Sequence, residues 1–335
     1  MTGVAPLDWQ ALFQNHFVMS ALVCGLALLL DRVFGEPRRL HPLVAFGNWV
    51  VFVERSVIGY GKKRSAGFVL FLGVFAWIVA VAVPGVLLLL AYWQLSLVLP
   101  AMLLLVVDTL VLYLVIGGKS LGDHGMAVAK PLLDGDLPQA RVKLGFIVSR
   151  ETSNLNEEQV TTATVESILE NAHDAVIAPL FWFVLLGLPG AVLWRMANTL
   201  DAMWGYRSPK YLYFGRFAAR VDDALGFLSA RVTVLLFGFL NMRAWSVVWH
   251  HGGQWWGTAL SPNGLPVMAA GAGALNISLG GDAVYGGEKK HRPQLGLGRK
   301  PEASDIVKAI ALVNRSYWVF VAVVLLLAAL VSANI

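Results

Sequence analysis

Long apolar runs separate the polar segments of this chain, and several runs have the length of a membrane helix. Residues 66–93 contain no charge and would form about 42 Å of helix at ~1.5 Å per residue, more than the ~30 Å core of a bilayer requires. We expect Pro84 to kink this helix and tilt to absorb the remaining length. The pattern predicts an all-α, polytopic integral membrane protein with about four to six membrane helices and a helical cytoplasmic active-site region. The candidate membrane spans are residues 17–30, 66–93, 97–118 and 317–331.

The distribution of basic residues orients the predicted spans. Lysine and arginine are absent from residues 1–16 but outnumber acidic residues in 31–65, and Lys119 follows the third apolar run. By the positive-inside rule, the N-terminus lies outside and residue 31 onward enters the cytoplasm. We therefore expect a multi-pass protein of the cell (inner) membrane with its active site on the cytoplasmic side.

The polar segments are predicted to form one membrane-embedded domain with the spans, over residues 1–335. Residues 119–175 are typical of a helical cytoplasmic segment, and residues 198–300 of loops and helices that carry motifs. The segment 176–197 is apolar but broken by Gly187-Leu188-Pro189-Gly190. A re-entrant hairpin would keep the basic region after it inside, since protein can cover non-helical backbone at membrane depth. A full span that returns through residues 227–240 is the alternative.

Composition narrows the possible partners. Hydrophobic residues make up 57% of the chain and charged residues 14%, against roughly 45–50% and about 25% in soluble domains. The net charge of +5 comes from basic residues between apolar segments, which suits lipid head groups and anionic substrates rather than nucleic acid. The only cysteine, Cys24, lies in an apolar run, so intramolecular disulfides and a thiolate metal cluster are excluded.

Eight segments of the chain resemble, in order, the CobD/CbiB family of integral membrane proteins, the adenosylcobinamide-phosphate synthases of cobalamin biosynthesis. They are DRVFGEPRRLHPLVAFG (31–47), LLDGDLPQAR (132–141), VSRET (148–152), VESILENAHDAVIAPLF (165–181), NTLDAMWGY (198–206), ARVDDALGFLSAR (219–231), SPNG (261–264) and LGGDAVYGG (279–287). The chain departs from the usual family residues in having Glu151 for aspartate, Ala175 for glycine, Ala202 for serine and Ser229 for proline. Each change is small and keeps any charge.

The resemblance implies an amide-forming reaction, in which the corrinoid carboxylate of adenosylcobyric acid joins aminopropanol phosphate or aminopropanol. It also implies ATP and Mg²⁺ as cofactors, because a carboxylate must be activated before an amine can attack it. The chain has no GxxxxGK[ST] loop, so any ATP site is unconventional. We expect the protein to be surrounded by membrane lipid. It could also form a homo-oligomer or a complex with other enzymes of the pathway.

Acidic residues supply the candidate catalytic and metal-binding groups. Asn156 is predicted to cap a helix on which Glu166, Glu170 and either His173 or Asp174 share one face. Carboxylate oxygens are the ligands that Mg²⁺ prefers, although the same group could be a solvated helix face paired with arginines. Adjacent helical side chains diverge by about 100°, so Asp222 and Asp223 are not expected to face one ion. The candidate catalytic residues are Glu166, Glu170, Asp174, Asp222 and His41, and the candidate metal ligands are Glu166, Glu170 and Asp223.

Arginines and amides supply the candidate substrate-binding groups. Guanidinium offers a bidentate fork to phosphate oxygens, but internal salt bridges are the structural alternative. The amides of Asn171 and Asn198 could orient substrate or cap helices, and His41 could anchor a turn between prolines. The candidates are Arg150, Asn171, Asn198, Asp201, Arg220 and Arg231.

Two other functions compete with the synthase. A corrinoid transporter would explain the hydrophobic chain and its broken helices, but transporters place polar groups at the bilayer midplane. Here the polar residues lie mostly in loops, and Asp108 is the carboxylate predicted near the middle of a span. A non-enzymatic membrane sensor of a related family would have little use for the acidic helix face and the Asp222-Asp223 pair together.

Overall fold

The computed structural model describes residues 16–37, 41–59, 64–251, 261–281, 283–285, 288–290 and 292–333. Helices dominate this part of the chain, which confirms the all-α prediction, and one short antiparallel hairpin is added to them. The helices are α1 (His16–Phe34), α2 (Pro42–Ile58), α3 (Ala66–Trp77), α4 (Val83–Val98), α5 (Ala101–Val115), α6 (Gly118–Leu133), α7 (Leu137–Leu144), α8 (Glu157–Ala172), α9 (Ala178–Trp204), α10 (Arg216–Leu240), α11 (Arg243–His251), α12 (Gly264–Leu275) and α13 (Ala303–Ala333). The strands of the hairpin are β1 (Ala283–Tyr285) and β2 (Glu288–Lys290).

Six helical stretches of the described chain are long and apolar enough to cross a membrane, so this is a multi-pass membrane protein. The helix that ends the described chain begins at Ala303, well before the predicted start at residue 317. The predicted third span, 97–118, corresponds mainly to α5, which ends at Val115, and α6 continues from Gly118 into the region predicted to be cytoplasmic. The stretches are His16–Phe34, Ala66–Val98, Ala101–Leu133, Glu157–Trp204, Arg216–Leu240 and Ala303–Val331.

Two prolines are accommodated by π-helical turns that precede them. The turn Ile78–Ala82 joins α3 to α4 before Pro84, and the turn His173–Ile177 joins α8 to α9 before Pro179. Proline lacks an N–H and crowds the carbonyl four residues earlier, so widening the helix relieves the clash. Pro179 has no N–H to donate to the carbonyl of Ala175, four residues earlier. This carbonyl instead accepts the N–H of Gly117 at 3.1 Å. This bond fixes the junction of α5 and α6 against α8.

The chain reverses direction inside α9, at Gly187. Gly187 has φ +66° and ψ −162°, a conformation that residues with a Cβ rarely adopt. The indole N–H of Trp194 donates to the carbonyl of Asp174 at 3.0 Å, although a straight helix would separate these residues by about 30 Å. A reversal at this position is compatible with the re-entrant alternative. How the segment 176–197 sits in the membrane stays a prediction.

A second, smaller core joins α2, α3 and the segment that follows α9. The buried Glu54 carboxylate accepts the Trp204 indole N–H at 3.1 Å and the Tyr211 hydroxyl at 3.0 Å. It also accepts the Lys210 ammonium group at 2.5 Å, and this hydrogen bond raises the pKa of Lys210 above its usual value. The cluster fixes the loop that leads from α9 into α10.

Candidate functional site

Several predicted site residues gather around α8, its π turn and the returning arm of the α9 hairpin, whereas His41 caps α2 and Arg231 lies on α10. A cavity of about 160 Å³ lies beside α8 and is lined by Arg150, Glu166, Glu170, Asn171 and Arg292 among others. A second cavity, of about 210 Å³, shares Ile147, Ser167 and Asn171 with it. The two cavities therefore adjoin at Ser167 and Asn171 of α8.

Glu166 anchors two arginines beneath the first cavity. Its Oε2 accepts Arg150 Nη2 at 2.5 Å and Arg292 Nη1 at 2.6 Å, while its Oε1 accepts the N–H of Gly280 at 2.9 Å. The residue is only 2% exposed. A buried carboxylate with three donors is compensated in charge and hydrogen bonding. This geometry favours an anchoring role for Glu166 over the predicted acid/base and metal roles, which stay untested predictions.

Glu170, one helical turn further on, has a less occupied carboxylate. It is half-buried, lines the same cavity as Arg150 and Arg292, and makes no side-chain hydrogen bond that the described residues record. Its Oε1 lies so close to Gly264 that a Cβ there would stand 2.7 Å away. The carboxylate is thus held in place by packing while it remains available to a ligand.

Asp174 is oriented by His173, a residue that the sequence did not single out as a site residue. Asp174 Oδ1 lies 2.7 Å from His173 Nδ1, and His173 Nε2 lies 2.8 Å from the Ser229 hydroxyl. A carboxylate at Nδ1 favours the tautomer that carries its proton there. Ser229 is fully buried, so it cannot serve as a nucleophile toward a bound substrate. The array therefore positions Asp174.

Residues from α9 and α10 complete an acidic group around Asp174. Asn198 Nδ2 donates to Asp222 Oδ1 at 3.2 Å, and Asp174 and Asp201 act electrostatically on Asp222. Asp223 also acts electrostatically on Asp201 and Asp222, and the charges of Arg220 and Arg207 act on it in turn. The expectation that the two adjacent aspartates do not face one ion stays a prediction. Five predicted residues come together here: Asp174, Asn198, Asp201, Asp222 and Asp223.

Arg231 is engaged within the protein. Its Nη1 donates to the carbonyls of Phe227 and Pro262 and to Asn263 Oδ1, at 3.1–3.2 Å, and its guanidinium lies 3.7 Å from the centre of the Phe227 ring. It fixes the Ser-Pro-Asn-Gly segment against α10, so the geometry favours the structural alternative to phosphate binding.

His41 also has a structural contact. Its Nδ1 accepts the N–H of Leu43 at 3.2 Å and caps α2. The cap corresponds to the alternative in which this histidine anchors a turn. Its predicted acid/base role stays a prediction.

Arg292 and Arg195 were missed by the sequence analysis. Arg292 binds Glu166 from outside the recognised segments. Arg195 sits in an apolar stretch and lines the 210 Å³ cavity. The position of Arg195 within an apolar segment could have identified it from the sequence, because a charged residue in such a segment is usually functional.

Two further polar groups have partners within the protein. Asp108, the carboxylate predicted near the middle of a span, accepts the hydroxyl of Tyr92 at 3.1 Å. Gly280 (φ +90°) donates its N–H to Glu166. Part of the LGGDAVYGG motif, residues 282, 286 and 287, lies outside the described residues.

The donor set at the first cavity fits Mg²⁺ in part. Among the described residues, no group of three or more His, Cys, Asp or Glu side chains is arranged to hold a metal ion. Mg²⁺, however, is commonly bound through one or two carboxylates together with substrate phosphates and waters. Glu170 lines this cavity, and Asp174, which lies outside its lining, is the next carboxylate along the chain on that side.

Comparison with known proteins identifies the family. Residues 24–313 match the family model described as CobD/Cbib protein. The chain is 48% identical over 316 residues to the cobalamin biosynthesis protein CobD of Chromobacterium violaceum, covering 94% of this chain and 98% of that one. It is 46% identical over 300 residues to the protein of the same name from Stutzerimonas stutzeri, covering 89% and 95%. A probable CobD of Pyrococcus furiosus is 36% identical over 307 residues, covering 91% and 96%.

No solved structure matches the chain. The family match covers most of its length, and the relatives are matched almost end to end. Their shared name is that of a cobalamin biosynthesis protein, which fits a biosynthetic role for the helical site described above. The chain belongs to the CobD/CbiB family of cobalamin biosynthesis proteins.

Proposed function

We propose that this protein is the membrane-bound synthase that joins the corrinoid carboxylate of adenosylcobyric acid to aminopropanol phosphate, or aminopropanol, by an amide bond. The reaction uses ATP and Mg²⁺ and takes place on the cytoplasmic side of the inner membrane. One observation carries the proposal: Arg150 and Arg292, fixed by the buried Glu166, share a cavity with the less occupied carboxylate of Glu170. Fixed cations beside a carboxylate are what phosphoryl transfer from a metal-bound nucleotide requires.

The residues of the cavity and of the acidic group next to it divide the work as follows. Bound Mg-nucleotide would supply the phosphoryl group that activates the corrinoid carboxylate, with phosphate leaving as the amide bond forms, and Glu170 and Asp174 would hold the metal. Arg150 uses one guanidinium nitrogen on Glu166, and its remaining donors would be available to phosphate oxygens. Asp222, held by the Asn198 amide, accepts a proton from the attacking amine.

A direct assay tests the proposed reaction. Purified protein in detergent or nanodiscs receives adenosylcobyric acid, aminopropanol phosphate, ATP and Mg²⁺, and mass spectrometry follows adenosylcobinamide phosphate. We expect product that disappears when Mg²⁺ is chelated. In a cell that lacks its own synthase, expression should restore growth that depends on new cobalamin, and supplied cobinamide should remove the need for it. Well-folded protein that transports corrinoid or produces a signalling output, but forms no amide, would favour the transporter or the sensor.

A further inference from the structure

The 210 Å³ cavity at the start of α6 is a second polar site beside the first. Its wall combines an arginine, a carboxylate, a histidine and several hydroxyl and amide groups. They come from four parts of the chain: Glu36 after α1, Ser120 and His124 of α6, Ser167 and Asn171 of α8, and Arg195 of the returning hairpin arm.

Arg195 is a partly buried cation without a matched anion. Its Nε is enclosed and has no hydrogen-bond partner among the described residues, and no carboxylate of that part of the chain stands within ion-pair distance. Glu36 and Asp174 act on it only through space. A buried charge without a partner is costly, so proteins rarely retain one unless it meets a ligand. The fold-back at Gly187 is what carries Arg195 to this cavity.

Glu36 gives the cavity an opposite charge at another point of its wall. Its Oε1 lies against Gly117, where an added Cβ would stand 2.7 Å away. Gly117 precedes the first residue of α6, and the positive end of the helix dipole stabilises a carboxylate there. The cavity thus presents separate positive and negative groups. The hydroxyls of Ser120 and Ser167 and the amide of Asn171 line the same cavity.

We propose that this cavity binds the phosphate monoester of a small amino alcohol, with Arg195 contacting the phosphate oxygens and Glu36 the ammonium group. The inference rests on the proposed function and assigns the smaller of its two substrates to a site. A cavity of about 210 Å³ admits a molecule of this size but excludes a corrin ring. Arginine suits phosphate because its fork donates two parallel hydrogen bonds. The phosphates of a nucleotide share this chemistry, so the test includes them.

Binding is measured without turnover, by ³¹P NMR line broadening in a maltoside detergent that contains no phosphorus. The probes are aminopropanol phosphate, inorganic phosphate and ATP, each alone with the purified protein, and ATP is then added to the protein with aminopropanol phosphate bound. We expect Arg195→Gln to raise the Kd of aminopropanol phosphate and of inorganic phosphate at least ~10-fold, the scale of one charge-assisted contact. Arg195→Lys should retain part of the affinity. Arg55→Gln, which removes an exposed arginine of α2, should change neither Kd.

Glu36→Gln separates the two ends of the ligand. We expect it to weaken aminopropanol phosphate about 10-fold, as one charge-assisted contact is lost, while inorganic phosphate binds at least as well. If Arg195→Gln does not fold, the Glu36→Gln variant tests the proposal. Equal effects of Glu36→Gln on the Kd of both probes would overturn it. Wild-type affinities in Arg195→Gln would overturn it too, as would displacement of aminopropanol phosphate from the site by ATP.

The result is independent of the amide assay. Arg195-dependent binding without any amide product would support the binding site and contradict the proposed synthase activity. Amide formation by Arg195→Gln with an unchanged KM for aminopropanol phosphate would support the synthase activity and contradict the binding site.

Discussion

At the scale of single residues, two glutamates one helical turn apart on α8 have different surroundings. Glu166 accepts two guanidinium groups and a backbone N–H, whereas Glu170 borders a cavity with no recorded side-chain hydrogen bond. Both carboxylates occur in the same motif and face the same side of α8. Their contacts nevertheless predict that one supports the structure and the other the reaction.

Replacing Glu170 with glutamine should reduce turnover and leave stability nearly unchanged. The substitution keeps the size of the side chain and removes only the charge, so we expect a loss of about 10²-fold in kcat, typical of a charge-stabilising or acid/base group. The amide assay measures it at matched protein concentration. Glu157→Gln, at an exposed position of the same helix, serves as the control. Activity near wild type in Glu170→Gln would contradict a role for this carboxylate in the chemistry.

Glu166→Gln should instead destabilise the protein. The change leaves Arg150 and Arg292 without their shared anion, and removal of one partner from a buried ion pair costs about 3–5 kcal/mol. Thermal unfolding in detergent should show a lower midpoint than for Glu170→Gln. A variant with a wild-type midpoint but no activity would show that Glu166 acts in the reaction rather than as an anchor.

At the scale of elements, the hairpin of α9 builds the site. Because the chain reverses at Gly187, the segment that follows it returns to α8 and brings Arg195 and Asn198 beside Asp174. The π turn before Pro179 contributes as well, since the carbonyl of Ala175 becomes free to hold Gly117 at the start of α6. Two helix-breaking residues thus assemble groups from α6, α8 and α10.

Gly187→Ala tests the hairpin. The backbone of Gly187 lies at φ +66° and ψ −162°, where a Cβ costs of order 1–3 kcal/mol. We expect a lower unfolding midpoint and a loss of turnover larger than stability alone explains, because Arg195 and Asn198 would shift together. Gly67→Ala is the matched control, since Gly67 lies in helical α3 with open space around its Cα. Equal behaviour of the two variants would show that the reversal tolerates a side chain.

At the scale of the whole molecule, helices of membrane length surround a polar site at one end of the bundle. The main core joins buried residues from α1, α5, α6, α8 and α9 with others from α10 to α13. By contrast, α4 contains no buried residue, and its apolar surface is suited to lipid. This arrangement places a polar site next to the bilayer. We therefore expect all the motifs to lie on the same side of the membrane.

Cysteine labelling tests that sidedness. In a background in which Cys24 is replaced, single cysteines at Arg55, Gly145 and Pro209, all exposed, should react only with reagent that reaches the cytoplasm. A cysteine at Ser96, next to the turn that joins α4 to α5, should react from outside. Labelling of position 209 from outside would mean that the segment 176–197 crosses the membrane and that the motifs lie on two sides.

The sequence by itself determined the membrane class, the helical fold, the family and most of the candidate site residues, but not Arg195 or Arg292. Apolar run length and capping residues act locally, so they can be recognised without the fold; Asn156 caps α8 as predicted, and Gln159 completes a capping box with it. The tertiary structure alone decided which polar groups have partners. Glu166 meets Arg292 across 126 residues of chain, and Arg195 lines the same cavity as Glu36 only because the chain reverses at Gly187. Such contacts depend on the path of the backbone between distant segments, and no local pattern of residues specifies that path.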